Sequence, residues 1–123
     1  MEISRQSVCD AFNIRLKSLF PDSFVNCRVR NILGECIGFT FALYQKGDWI
    51  NGIIENDPAF MTFLTHENRD GSVEIERPGT HRSVLKNAGI KFRKIKGKDE
   101  AEAMSKLAAW FEKNADAIRS LKS

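Results

Sequence analysis

FVNCRVRNI (residues 24–32) and ECIGFTFALY (residues 35–44), separated by Leu33-Gly34, hold the pattern that decides the fold. In the first run Val25, Cys27 and Val29 alternate with Asn26, Arg28 and Arg30, the period of two that a half-exposed strand requires. In the second, Ile37, Phe39, Phe41 and Leu43 share one face, and Cys36, Gly38, Thr40 and Ala42 share the other. Gly34 supplies the turn, so the two runs pair antiparallel. A row of small residues behind a row of large ones predicts a central strand with a helix seated close against its small side.

Downstream, Lys46-Gly47 reads as a tight hairpin into a strand at DWINGIIE (48–55). Residues 57–67 carry two signals. Asp57-Pro58 would serve as N-cap and first residue of a helix. FMTFLTHE, however, is rich in β-formers and runs through an Asp70-Gly71 turn into SVEIE (72–76), which favours a hairpin. After Pro78-Gly79, a short helix near 81–88 is expected, closed by Gly89 at its C-terminal cap. IKFRKIK (90–96) reads as one more strand.

Helices are expected at both ends. Ser4 is a good N-cap flanked by an Ile3–Val8 staple, and Val8, Phe12, Leu16, Leu19 and Phe20 recur at helical spacing before Pro21 stops them. Lys98 or Asp99 opens a long C-terminal helix with Met104, Leu107, Ala108, Phe111, Ala115 and Ile118 as its apolar stripe, widened by Ala103, Trp110 and Ala117. The fold class is therefore α+β: an antiparallel meander of five to six strands, an N-terminal helix, a short helix near 81–88 and a long C-terminal helix. No repeat or linker divides residues 1–123, so a single domain is expected.

With 123 residues, 42% of them hydrophobic and nine Phe among them, the chain has the apolar content to collapse, which excludes a disordered class. No apolar run approaches the ~18 residues of a membrane span, and MEISRQSVCD lacks the basic-then-apolar layout of a signal peptide. A cytoplasmic protein without a membrane partner is expected. Cys9, Cys27 and Cys36 are odd in number and widely spaced, with no Cys-x-x-Cys pair. They read as reduced, buried thiols, neither metal ligands nor nucleophiles, so no metal or cofactor is expected.

Charge is distributed unevenly. The net value is only +3, yet residues 77–98 carry +8 with no carboxylate, and residues 45–76 carry −5. One reading is structural: SVEIE lies beside KFRKIK in the sheet, so that Glu74 and Glu76 neutralise Lys91 and Arg93 across strands. The other is an anion or nucleic-acid surface. In RPGTHRS, Thr80 or Ser83 would stand at a helix start, where free N–H groups attract anions, flanked by Arg77, His81 and Arg82. Lys91, Arg93, Lys94, Lys96 and Lys98 would extend that surface. Against nucleic acid, only Phe92 lies within the basic stretch, and its spacing with Ile90 marks it as core.

An enzyme is not expected. Asp57, Glu74 and Glu76 are spaced somewhat like the carboxylates of metal-dependent nucleases, with Lys91 as an electrostatic helper, but the acidic-x-Lys pattern is absent. No glycine-rich phosphate loop, Gly-x-Ser-x-Gly elbow or His-Glu-x-x-His helix is present. The leading expectation is a non-enzymatic binding protein acting through a protein–protein interface, an acidic protein partner among the candidates. Nucleic-acid binding through 77–98 is the alternative, and a nuclease-like enzyme the remote one. A homodimer is also expected. Residues 35–44, DWINGII (Trp49 and Ile53 against Ile50 and Ile54) and AFMTFL (Met61 and Phe63 against Phe60 and Leu64) are apolar on both sides. Helices on opposite faces, a curled sheet or a two-fold pair through the sheet would each cover them.

Overall fold

Alternation in the first two strands and 3.6-residue periodicity at the two ends produce the expected layers. The computed structural model describes residues 4–21, 23–31, 34–42, 61–76 and 89–120. In chain order these form α1 (Arg5–Leu19), β1 (Phe24–Asn31), β2 (Glu35–Ala42), β3 (Met61–Glu67), β4 (Val73–Ile75), β5 (Ile95–Gly97), α2 (Glu100–Lys113) and α3 (Ala115–Arg119). The strands make one antiparallel sheet in the order β1-β2-β3-β4-β5, a meander. No helix among the described residues is long and apolar enough to cross a membrane.

Register fixes the two faces of the sheet. Cys27 pairs with Phe39, and Phe39 with Phe63, while Arg28 pairs with Gly38, and Gly38 with Leu64. Phe39 and Phe41 form the floor of the core. Phe12 and Phe20 meet them from the α1 side, at ring separations of 4.9 and 5.1 Å. Phe111 of α2 meets the same two rings at 5.6 and 5.3 Å. Both long helices therefore cover one face, the large-residue face of β2. The expected helix on the small side, against Cys36, Gly38 and Thr40, is not found among the described residues. Burying Ile37, Phe39 and Phe41 contributes roughly 1.5–3 kcal/mol per side chain, which favours α1 and α2 on the large-residue face.

β3 divides its pairing. Met61–Leu64 pair with β2, and Thr65–Glu67 with β4. Where the strand leaves β2, the N–H of Ile37 donates to the Thr65 hydroxyl at 3.0 Å in place of a ladder carbonyl. The β1 edge is closed by a side chain. Asn13 of α1 donates to the carbonyl of Cys27 at 2.9 Å and accepts its N–H at 2.8 Å, completing the hydrogen bonds a neighbouring strand would make.

Several expectations hold at the level of single residues. Ser4 caps α1 by accepting from the N–H of Ser7, and Asp99 caps α2 by accepting from Glu102. Residues 61–67 are strand, as the hairpin reading requires, and Gly71 takes the positive φ of 87° that its turn needs. Two expectations change. Among the described residues of the basic stretch, only Ile95–Gly97 joins the ladder. The preceding residues run beside α2, with Phe92 against Trp110 at 5.0 Å and the Trp110 indole donating to the Lys91 carbonyl. The C-terminal helix is broken at Asn114, where φ of −105° and ψ of 13° separate α2 from α3. Arg119 of α3 then donates to the Leu19 carbonyl at the end of α1 and lies over the Phe20 ring. The Ile3 staple, the hairpin and strand over 46–55, Asp57-Pro58 and the short helix near 81–88 lie outside the described residues.

Candidate functional site

Three surfaces could carry function: the open sheet face, the charged tip where both long helices begin, and the outer side of the helix pair. On the open face, the register sets Arg30 opposite Cys36 at one side of the sheet, and His66, Glu74 and Lys96 opposite one another at the other. Arg28 stands in the neighbouring row, opposite Gly38 and Leu64. Cations thus occupy both edge strands of this face. The arginines of β1 belong to the same surface as the lysines around β5, which the segment-by-segment charge count missed. The signal was present: the alternation in FVNCRVRNI already set Arg28 and Arg30 opposite the core residues, and the meander order carries that parity to Lys96.

The sheet also neutralises part of this charge, with a different register from the one expected. Glu74 lies opposite Lys96 and makes an ion pair with Lys94 at 3.5 Å, so Lys91 and Arg93 are not its partners. The register follows from the core. Ile75 pairs with Ile95 because both face the helices, and that alignment puts Glu74 beside Lys96. Lys91, Arg93 and Lys98 are exposed and make no side-chain ion pair among the described residues. Lys96 keeps its ammonium in solvent while its carbonyl accepts from Lys106 of α2. Asp70, in the β3–β4 turn, accepts the Ser72 hydroxyl and N–H, which hold its carboxyl below the usual range, and Lys96 adds to the effect. Arg77, Thr80, His81, Arg82 and Ser83 lie outside the described residues, as does Asp57.

At the helix starts, Arg5 reaches three carboxylates. It pairs with Glu100 in the first turn of α2, and with Glu35 and Glu67 at 3.8 and 3.7 Å. Glu100 also accepts from the Thr65 hydroxyl at 3.2 Å. These contacts join α1, α2 and the ends of β2 and β3, and their chemistry is structural: each carboxylate is directed to the guanidinium. No group of three His, Cys, Asp or Glu among the described residues could hold a metal ion.

The cysteines divide between faces. Cys9 and Cys27 are buried beneath α1, with their thiols hydrogen-bonded to each other, and desolvation pushes both above the ordinary thiol value. Cys36 lies half-buried on the open face. On the outer side, α1 and α2 leave a groove of about 230 Å³ whose floor is Val8, Phe12 and Met104 and whose walls are Ser7, Ala11, Ser105 and Ala108. An Arg15–Glu112 ion pair spans the two helices at its rim. Elsewhere on α1, Ile14 is 72% exposed; the other large exposed apolar residue among the described residues, Leu64 at 48%, is on the open sheet face.

Comparison with protein-family models, with curated proteins and with solved structures finds no match for this chain.

Proposed function

We propose that this chain is a non-enzymatic interaction protein of the cytoplasm that works through a protein–protein interface on the outer side of its helix pair, and that it self-associates. The observation that carries the reading is Ile14, a large aliphatic side chain of α1 that is 72% exposed, on a helix pair that also leaves an apolar groove lined by Val8, Phe12 and Met104. A large aliphatic side chain left in solvent on a folded surface is the anchor that a protein interface requires. The described part of the open sheet face is less suited to that role, since Asn26, Arg28, Arg30, His66, Glu74 and Lys96 make it mainly polar. A pair formed through the helices is therefore preferred to one formed through the sheet. The test is co-capture of tagged and untagged copies, and of host proteins, by the wild type, by Ile14→Asp, and by a variant with Arg28, Arg30, Lys94 and Lys96 made neutral. Capture abolished in the first variant and kept in the second supports the reading; the reverse contradicts it.

The reverse pattern would support a second reading, polyanion binding on the open sheet face. Arg28 and Arg30 at one edge with Lys94 and Lys96 at the other favour it. On that reading single-stranded nucleic acid is retained at low salt. Neutralising the β1 arginines then weakens it as much as neutralising the lysines, and the salt slope falls by about one unit for each phosphate left without its cation. No retention at low salt removes this reading.

A further inference from the structure

We propose that the partner on the outer helical side is a second copy of this chain, with the two α1 helices packed antiparallel about a two-fold axis beside Ile14. This rests on the protein-interface reading and names its occupant. Ser7, Ala11, Ile14 and Ser18 are all exposed and follow one another at intervals of four, three and four, the spacing of a helix–helix seam. The buried side of α1, formed by Val8, Cys9, Phe12 and Leu16, points away from them into the core. A seam of this kind on a solvated helix would ordinarily be charged. Here it is uncharged, and Ala11 and the two serines are small enough to let a second helix approach.

Charge decides the partner. Asp10 and Lys17 stand seven residues apart on the same flank of the seam, about 10.5 Å along the axis. Lys17 makes no ion pair among the described residues, and Asp10 accepts only the Gln6 amide. When two copies of one helix pack antiparallel, that flank meets its own symmetry mate. With the axis passing between Asn13 and Ile14, Asp10 falls opposite Lys17 of the second copy, and Lys17 opposite its Asp10. Two opposite-charge pairs then bracket a central contact between the two Ile14 side chains. On the other flank Arg15 is already paired with Glu112, so no unpaired cation is brought to the axis. The complementarity is a property of one sequence against itself, which a partner of unrelated chemistry would not need.

A single aliphatic anchor from each copy with two surface ion pairs makes a weak dimer, with dissociation on the order of 0.1–1 mM. Sedimentation velocity on the full chain, from about 10 µM to 1 mM at low and high salt, tests it against four variants. Ile14→Asp is expected to raise the dissociation constant at least about tenfold. Asp10→Lys and Lys17→Asp, each turning both pairs repulsive, are expected to raise it by roughly three- to tenfold. The double exchange Asp10→Lys with Lys17→Asp restores the opposite-charge pairs and is expected to return within about twofold of wild type. All these positions are exposed, and unchanged thermal melting at low concentration confirms folding. A dimer weakened by Ile14→Asp but indifferent to the charge variants overturns this seam and leaves the protein-interface reading standing on its capture test, whereas a dimer indifferent to Ile14→Asp overturns both. A chain that stays monomeric throughout, or a double exchange that fails to rescue, overturns the seam as well.

Discussion

Adding a methyl group at Gly97 and at Gly38 should have opposite consequences, although both glycines are buried in the sheet. A Cβ at Gly97 would lie 2.5 Å from the Ala103 nitrogen, 2.9 Å from its Cα and 3.0 Å from the Asp99 carbonyl oxygen. All three are backbone atoms of the α2 start and its cap, so relief requires moving the helix off the sheet. A Cβ at Gly38 would meet Arg30 Cγ at 2.7 Å and Leu64 Cδ2 at 3.1 Å. Both belong to side chains on the open face that can rotate into solvent. Overpacking against a fixed backbone costs about 1–3 kcal/mol, and the displaced Asp99 cap adds roughly 1 kcal/mol. Gly97→Ala is therefore expected to lose about 2–4 kcal/mol. Gly38→Ala should fall within about 1 kcal/mol of wild type, because reduced backbone entropy in the unfolded chain offsets the side-chain adjustment. Urea denaturation with unchanged m-values reads both. Equal losses at the two positions, or a larger loss at Gly38, would refute the assignment of the helices to the Phe39 face.

Asn13→Ala removes both hydrogen bonds to the Cys27 backbone at the β1 edge, and a loss of about 1–3 kcal/mol in the same denaturation assay is expected; a change below about 0.5 kcal/mol would show that water replaces the side chain freely. The raised thiol pKa values have a pH consequence. Cys9 and Cys27 are neutral when folded, whereas an unfolded thiol ionises near its ordinary value of 9.0, so stability is full below that pH and declines as pH rises above it. Cys27→Ala should flatten that alkaline decline even though it lowers stability at neutral pH, and an unchanged alkaline slope would contradict the assignment.

The layers were legible wherever one physical signal acted alone. Ser4 and Asp99 announce their helices because a side-chain acceptor at the cap needs no tertiary context, and the alternation of Val25, Cys27 and Val29 has a single interpretation once one face is buried. Legibility ended where two elements had to be compared. A row of small residues in β2 marks a face without saying whether a helix or an arginine stem lies over it; Arg30 and Leu64 fill the space above Gly38. Likewise Lys94 and Lys96 were visible as cations, but which of them meets Glu74 depends on the Ile75–Ile95 core contact that sets the register. The Asn13 plug joins residues fourteen apart through an amide that has no periodicity to betray it. The surface proposed for function was hidden for a related reason. Ile14 falls off the buried stripe of α1, and only its exposure distinguishes it from a peripheral core residue.

Every one of these surfaces follows from which sheet face the helices cover, and the three native cysteines report on that directly. Cys27 belongs to the covered face with Cys9 packed on it, and Cys36 to the open face. Thiol labelling of the native protein at neutral pH, with the modified residues located by mass spectrometry, should find Cys36 reacting first and Cys9 and Cys27 reacting only on the timescale of unfolding. Rapid labelling of Cys27 with Cys36 protected would contradict the account.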